Sequence, residues 1–183
     1  MTRGVLNRIL RVDLTTGKMT VDERDDHYYR RYMGGWNIVA DTLLREVPTG
    51  ADPLGPENRL IFTSGILAGM ALSGASRSAV GAKSPLTGGF GVGEAGGSFG
   101  AELKRSGFDA IIIRGKSPKP VYLWIKEGVA ELRDASHLWG KITGDTEQAI
   151  AEELNDRRIV CTMIGPAGEH LVKYACVMNG LKD

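Results

Sequence analysis

Residues 73–103 read SGASRSAVGAKSPLTGGFGVGEAGGSFGAEL and hold nine of the chain's 25 glycines. Ordering glycine costs more backbone freedom than ordering any other residue. A chain that gathers glycine in one place therefore has something there that a Cβ would obstruct, either a ligand or its own packing. Within the run, Glu94-Ala95-Gly96-Gly97-Ser98-Phe99-Gly100 leads into a short helix over Ala101 to Arg105, stopped by Ser106-Gly107. Paired glycines before a helix leave N–H groups unsatisfied, with the positive end of the helix dipole behind them, a setting that suits phosphate or another anion. The same glycines suit a tight loop that only lets helix and sheet approach closely. Their spacing matches neither the dinucleotide fingerprint nor a P-loop, since no Gly-Lys-Ser/Thr follows.

Just upstream, Ser73-Gly74-Ala75-Ser76-Arg77 enters a strand. Arg77 either offers its planar fork to a phosphate or stands in solvent. Lys83-Ser84-Pro85-Leu86-Thr87-Gly88-Gly89 is a turn of defined shape, because Pro85 fixes φ and the glycines permit positive φ. Lys83 faces an anion or, as is commoner for lysine, solvent.

Outward from the run, RILRVDLTTGKMTVDE (8–23) alternates apolar and polar residues on both sides of Thr15-Thr16-Gly17 and reads as a β-hairpin. Asp25 to Val47 turns helical, with Tyr29, Tyr32, Met33, Ile38, Val39, Leu43 and Leu44 on one face. Gly34-Gly35 breaks it into two helices or bends one. Pro48 to Pro56 is a rigid loop, and Arg59 to Thr63 a short buried strand. Beyond the run, Phe108 to Arg114 is an apolar strand, and Pro120 to Lys126 with Val129 to Arg133 a second hairpin about Glu127-Gly128. Asp145 to Leu154 is an amphipathic helix capped by Thr143 or Asp145. Ile159 to Ile164 and Val172 to Met178 read as strands on either side of Gly165-Pro166-Ala167-Gly168. Hairpins outnumber strand–helix–strand units, so the fold class is α+β with mostly antiparallel β-sheets and a few helices. Residues 1–183 form one domain on the simplest partition. The strand pattern stops five residues before the last residue, which reads as a piece of a longer chain.

Composition narrows the function. The 183 residues are 42% hydrophobic and 25% charged with net charge +1, so the basic excess of nucleic-acid or membrane-surface binders is missing. No apolar run reaches the length of a membrane span, and MTRGVLNRILRVDL lacks signal-peptide features, which makes the cytoplasm the default location. Cys161 and Cys176 form no C-x-x-C pair and have no histidine at ligand spacing, so they are expected to be two buried thiols in a reducing compartment rather than metal or cluster ligands. His27, His137 and His170 have no partner at nucleophile or ligand spacing. G-x-S-x-G is absent. The sequence offers no catalytic acid, base or metal ligand.

RVDLTTG, the Gly34-Gly35 break, ADPLGPEN, AKSPLTGGFG, AGGSFGAELKRSGFDAI, KPVYLWI, LRDASHLWGK and IGPAGE, taken in order, resemble the N-terminal domain of the aldehyde ferredoxin oxidoreductases along nearly the whole chain. That resemblance implies a base of β-sheet on which two flat pterins lie, both binding one tungsten or molybdenum (a tungsten-bis-pterin of the molybdopterin type). By position, Arg77 matches a pterin-contacting arginine, while Ala95, Gly96 and Gly97 match the glycine-rich contact segment. Glu94 stands where some members have asparagine, and an ionised glutamate only accepts hydrogen bonds and repels phosphate. Its backbone carbonyl can still serve, as such a carbonyl does in the family toward a magnesium ion bridging the pterin phosphates.

The family further implies a second pterin-binding segment, a [4Fe–4S] cluster on cysteines and a substrate pocket in later domains, none of them within these 183 residues. The implied parent reaction is oxidation of an aldehyde to a carboxylate, with electrons passing through the cluster to ferredoxin, in an enzyme that can be a homo-oligomer. This piece alone is expected to be inactive. Two alternatives stand beside it: the same domain from a tungsten-type benzoyl-coenzyme A reductase subunit, or a stand-alone non-catalytic domain binding an anion, a nucleotide or a protein partner.

Overall fold

Residues with side chains alternating between two buried faces require a layer on each side, and the chain supplies both. A computed structural model describes residues 4–180. In chain order the elements are β1 (Arg8–Asp13), β2 (Lys18–Glu23), α1 (Asp26–Tyr32), α2 (Trp36–Glu46), β3 (Leu60–Ser64), β4 (Ser78–Lys83), β5 (Phe90–Ala95), α3 (Phe99–Arg105), β6 (Ala110–Arg114), β7 (Val121–Lys126), β8 (Val129–Asp134), α4 (Thr143–Glu153), β9 (Thr162–Met163), α5 (Pro166–Glu169) and β10 (Met178–Asn179). A six-stranded sheet runs in the order β2-β1-β6-β3-β4-β5, and β7-β8 and β9-β10 form two smaller ones. Every pairing is antiparallel except β1 with β6. The fold is α+β with mostly antiparallel sheet, as its residue pattern indicates.

Successive strand residues point to opposite faces, and the core divides accordingly. Ile9, Ile61, Ala110 and Ile112 pack with Tyr29 of α1 and Ile38 and Val39 of α2. Leu10, Val12, Phe62 and Ile111 pack on the other face with Leu103 of α3, Phe108, and Leu123, Ile125, Ala130 and Leu132 of the β7–β8 hairpin. Ile38, Val39 and Ile61 are wholly buried, each such side chain stabilising the fold by about 1.5–3 kcal/mol. A third cluster joins Ala135, Leu138 and Ile150 under α4.

Several boundaries differ from expectation for identifiable reasons. The Gly34-Gly35 break separates two helices: Gly34 (φ 77) bridges to Gly65, and a Cβ on it would lie 2.5 Å from the Ser64 carbonyl oxygen. With the face split, Tyr29, Ile38 and Val39 are buried but Met33 and Leu44 are 57% and 86% exposed. α4 begins at Thr143 with Ile142 as its N-cap and no side-chain cap, so neither Thr143 nor Asp145 caps it. The two late strands are two residues each. Leu171 adopts φ 58, and the Val172 and Ala175 N–H groups donate to Ala167 and Val172 carbonyls, so residues 171–175 turn where alternation pointed to a strand. Cys161 is half-buried, which pushes its thiol up to about 11, whereas Cys176 is exposed and corrects the expectation of two buried thiols.

Candidate functional site

The register Ser78–Ala95 closes the β4–β5 ladder, so Arg77 and Gly96 flank it at the same end of the sheet. That end also collects Ser64 at the close of β3, Asp109 before β6, and the Gly34–Gly65 bridge. The sequence-predicted residues Arg77, Ala95, Gly96 and Gly97 are thereby brought together. Arg77 is exposed, and its guanidinium makes no hydrogen bond or ion pair among the described residues. Its carbonyl accepts the Gly65 N–H at 3.2 Å. Glu94 is exposed one pair further along, opposite Ala79. By strand alternation it shares the α2 face with Val92 and Gly81, and Ala95 lies on the other face.

The glycines of the run separate into two groups. A Cβ on Gly81 would overlap Val39 of α2, on Gly91 it would lie 3.1 Å from Ser84 Cβ, and on Gly100 3.3 Å from Ser78 Cβ. These positions serve the chain's own packing. On Gly74, Gly88 and Gly93 a Cβ would meet nothing within 4 Å, and on Gly96 only Ser76 Oγ at 3.7 Å. Gly97 adopts φ 76, the left-handed region that favours glycine. Ser98, the N-cap of α3, makes no side-chain capping bond. Internal packing thus accounts for Gly100 but leaves Gly96 unexplained.

Lys83 has a different place. It closes the far end of β4, roughly 20 Å of strand from Arg77. Its Nζ donates to the Ala51 carbonyl at 2.6 Å, and its backbone is bound by Asn58 through Nδ2 to Lys83 O at 3.0 Å and Lys83 N–H to Oδ1 at 3.0 Å. It neither faces an anion nor stands free in solvent; it fastens the Pro48–Pro56 loop.

Two buried charges escaped the sequence reading. Lys104 is 2% exposed and Asp109 1%. Lys104 Nζ donates to the Gly4 and Ile66 carbonyls, and burial lowers its pKa from the ordinary lysine value despite nearby Asp109. The Asp109 carboxylate accepts the Leu6 N–H at 2.9 Å and the Arg8 N–H at 3.3 Å, and its carbonyl accepts Ser64 Oγ at 3.1 Å. Together they tie the N-terminal segment and the Gly65–Ile66 turn to α3. The one legible signal was an aspartate opening the apolar run DAIII. Asn179 is the third missed residue: its Nδ2 donates to the Gly96 carbonyl at 2.9 Å.

Among the described residues no three His, Cys, Asp or Glu side chains cluster to hold a metal. His137 Nε2 lies 3.2 Å from Glu153 Oε2, on α4. Among the described residues no helix is long and apolar enough to cross a membrane. The residues do fit a flat ligand with anionic tails: Gly96 leaves room for close backbone approach, Gly97 holds the turn at φ 76, and Arg77 is an unpaired cation beside them.

Comparisons with known proteins converge. A tungsten-containing aldehyde ferredoxin oxidoreductase of Thermococcus kodakarensis is 47% identical over 176 residues, covering 96% of this chain and 29% of the relative. Its counterpart in Pyrococcus furiosus is 44% identical over the same shares. An aliphatic sulfonate oxidoreductase, WOR-like subunit, of Pyrococcus furiosus is 32% identical over 189 residues, 95% of this chain and 30% of the relative. Among solved structures, a chain of the active site complex BamBC of benzoyl coenzyme A reductase with 1,5-dienoyl-CoA superposes with a TM-score of 0.94 at 40% identity, over 97% of this chain and 27% of that one. The chain therefore spans less than a third of the length of the relatives it matches. Residues 9–183 match the family profile described as aldehyde ferredoxin oxidoreductase, N-terminal domain, and on this match and these identities the chain belongs to that family.

Proposed function

We propose that this chain is the pterin-facing N-terminal domain of a tungsten-dependent oxidoreductase that converts an aldehyde to a carboxylate and passes electrons through a [4Fe–4S] cluster to ferredoxin. The observation that carries the reading is the meeting of Arg77 with the Gly96-Gly97 turn across the end of the β4–β5 ladder. When bound, the tungsten-bis-pterin supplies the redox chemistry, which the protein itself only positions. Arg77 would pair with a phosphate tail as a charge-assisted donor. Gly96 and Gly97 would let the backbone approach the flat ring system, with Ala95 beside them. Glu94 would contribute its carbonyl toward a phosphate-bridging magnesium ion, because its carboxylate repels phosphate. The later domains would supply the cluster ligands, the remaining cofactor contacts and the substrate pocket. The protein would work in the cytoplasm, as one subunit of a homo-oligomer or alone.

The benzoyl-coenzyme A reductase neighbour favours a second reading, in which the same domain serves ring reduction. The identities of 47% and 44% to aldehyde enzymes, against 40% to that neighbour, support the aldehyde reading. The complete protein and residues 1–183 alone are to be assayed for aldehyde-dependent reduction of a viologen dye. Reduction by the complete protein and none by the 183-residue piece is the expected result. Activity only with an aromatic acyl-coenzyme A would select the second reading, and aldehyde oxidation by the piece alone would contradict both.

A further inference from the structure

The β4–β5 ladder ends at the Ser78–Ala95 pair, so no strand partner orients the peptide joining Gly96 to Gly97. Two adjacent glycines leave such a peptide free to turn over, because no Cβ penalises either arrangement. Asn179 fixes it, through the 2.9 Å bond from Nδ2 to the Gly96 carbonyl. In a planar trans peptide the carbonyl and the following N–H point in opposite directions. The Gly97 N–H is thereby aimed away from Asn179. The support behind this contact is firm: Asn179 pairs with Thr162 and Met178 with Met163, the Gly180 N–H donates to the Cys161 carbonyl at 2.9 Å, and Val177 packs on the core cluster that holds Leu103 and Phe62.

Asn179 is only 8% exposed, and its Oδ1 is buried without a hydrogen-bond partner. An orphaned buried acceptor lowers stability, and an apolar side chain of similar volume would fill the space without it. What an amide adds here is direction. We propose that Asn179 is a positioning residue of the cofactor-facing turn, locking the Gly96–Gly97 peptide so that the Gly97 N–H stays available to a phosphate-bearing ligand. This rests on the cofactor reading above.

The test follows tungsten release from the complete protein, wild type and the variants N179L and N179D, during dialysis at about pH 8 and about pH 5.5, values on either side of the pKa expected for a buried carboxyl. Leucine removes the donor. Aspartate keeps the shape, sets a carboxylate against the Gly96 carbonyl at high pH, and regains an O–H donor once protonated. N179L is expected to release tungsten about tenfold faster than wild type at both values, the order for one lost hydrogen bond to a charged group. N179D should do so at the higher pH only. Because N179D is compared with itself, a general loss of fold affects both arms alike. Release from N179D that is independent of pH, with wild-type tungsten bound, overturns the lock alone. A wild-type protein without tungsten overturns the cofactor reading, and the ligand role of Asn179 with it.

Discussion

Tyr28 and Tyr29 meet edge to face with ring centroids 5.4 Å apart, and burial of both phenols couples stability to alkaline pH. Burial raises the Tyr28 phenol to about 12, with Asp41 adding to it. Burial and then Asp109 push Tyr29 higher still. Below the ordinary tyrosine pKa of about 10 both phenols are protonated in folded and unfolded chains, and their contribution to stability is complete. Between that value and the folded pKa the unfolded chain ionises first, so stability falls as pH rises. Lys104 acts in the opposite sense: its lowered pKa means the folded state releases a proton first, and stability gains as pH rises toward the ordinary lysine value. With three raised phenols, Tyr122 among them, and the raised Cys161 thiol against one ammonium, denaturant unfolding is predicted to show a net loss above about pH 10, shallower in Tyr28→Phe. An unchanged alkaline slope in that variant would remove Tyr28 as a cause. The same residues show what a linear reading misses. Lys104 follows Leu103 in a helix whose other charged residues are half-buried (Glu102) or exposed (Arg105), and only the fold reveals the Gly4 and Ile66 carbonyls that take it in.

Among the elements, α2 lies so close to β4 that Gly81 has no room for a side chain. Gly81→Val would force Val39 from its place, and overpacking of this kind costs about 1–3 kcal/mol. Gly93→Val, on the neighbouring strand where a Cβ meets nothing within 4 Å, should change stability by less than about 0.5 kcal/mol. Comparable denaturation midpoints for the two variants would mean that α2 does not press on β4. Element type was legible wherever local pattern decides it: the β1–β2 hairpin, the Gly34-Gly35 break, β3, β6 and the β7–β8 hairpin all follow from alternation, periodicity and glycine. Sheet order was not, since the parallel contact of β1 with β6 joins residues about a hundred positions apart and leaves no local trace. The late strands misled for a related reason. Alternation in Val172 to Met178 is real, but the backbone there is spent on turns about α5, and only Met178 and Asn179 find a partner.

At the scale of the molecule, one end of the six-stranded sheet gathers an unpaired arginine, a glycine turn and the two buried charges that hold the surrounding segments in place. Arg77 and the Gly96-Gly97 turn could be named from the sequence because glycine density and family resemblance both mark them. Asn179 could not, because its role depends on a contact across 83 residues. Lys83, drawn from the same run, proved to be a fastening at the opposite end of the strand. The central claim is that this end of the sheet faces a tungsten-pterin cofactor. Tungsten per mole of the complete protein, measured by elemental mass spectrometry for wild type and Gly97→Val, tests it most directly. The branched Cβ at a position with φ 76 both strains the turn and blocks approach to it, so the account predicts tungsten in the wild type and a severe loss in a variant that is still folded by circular dichroism. A folded variant with undiminished tungsten, or a wild type with none, would contradict it.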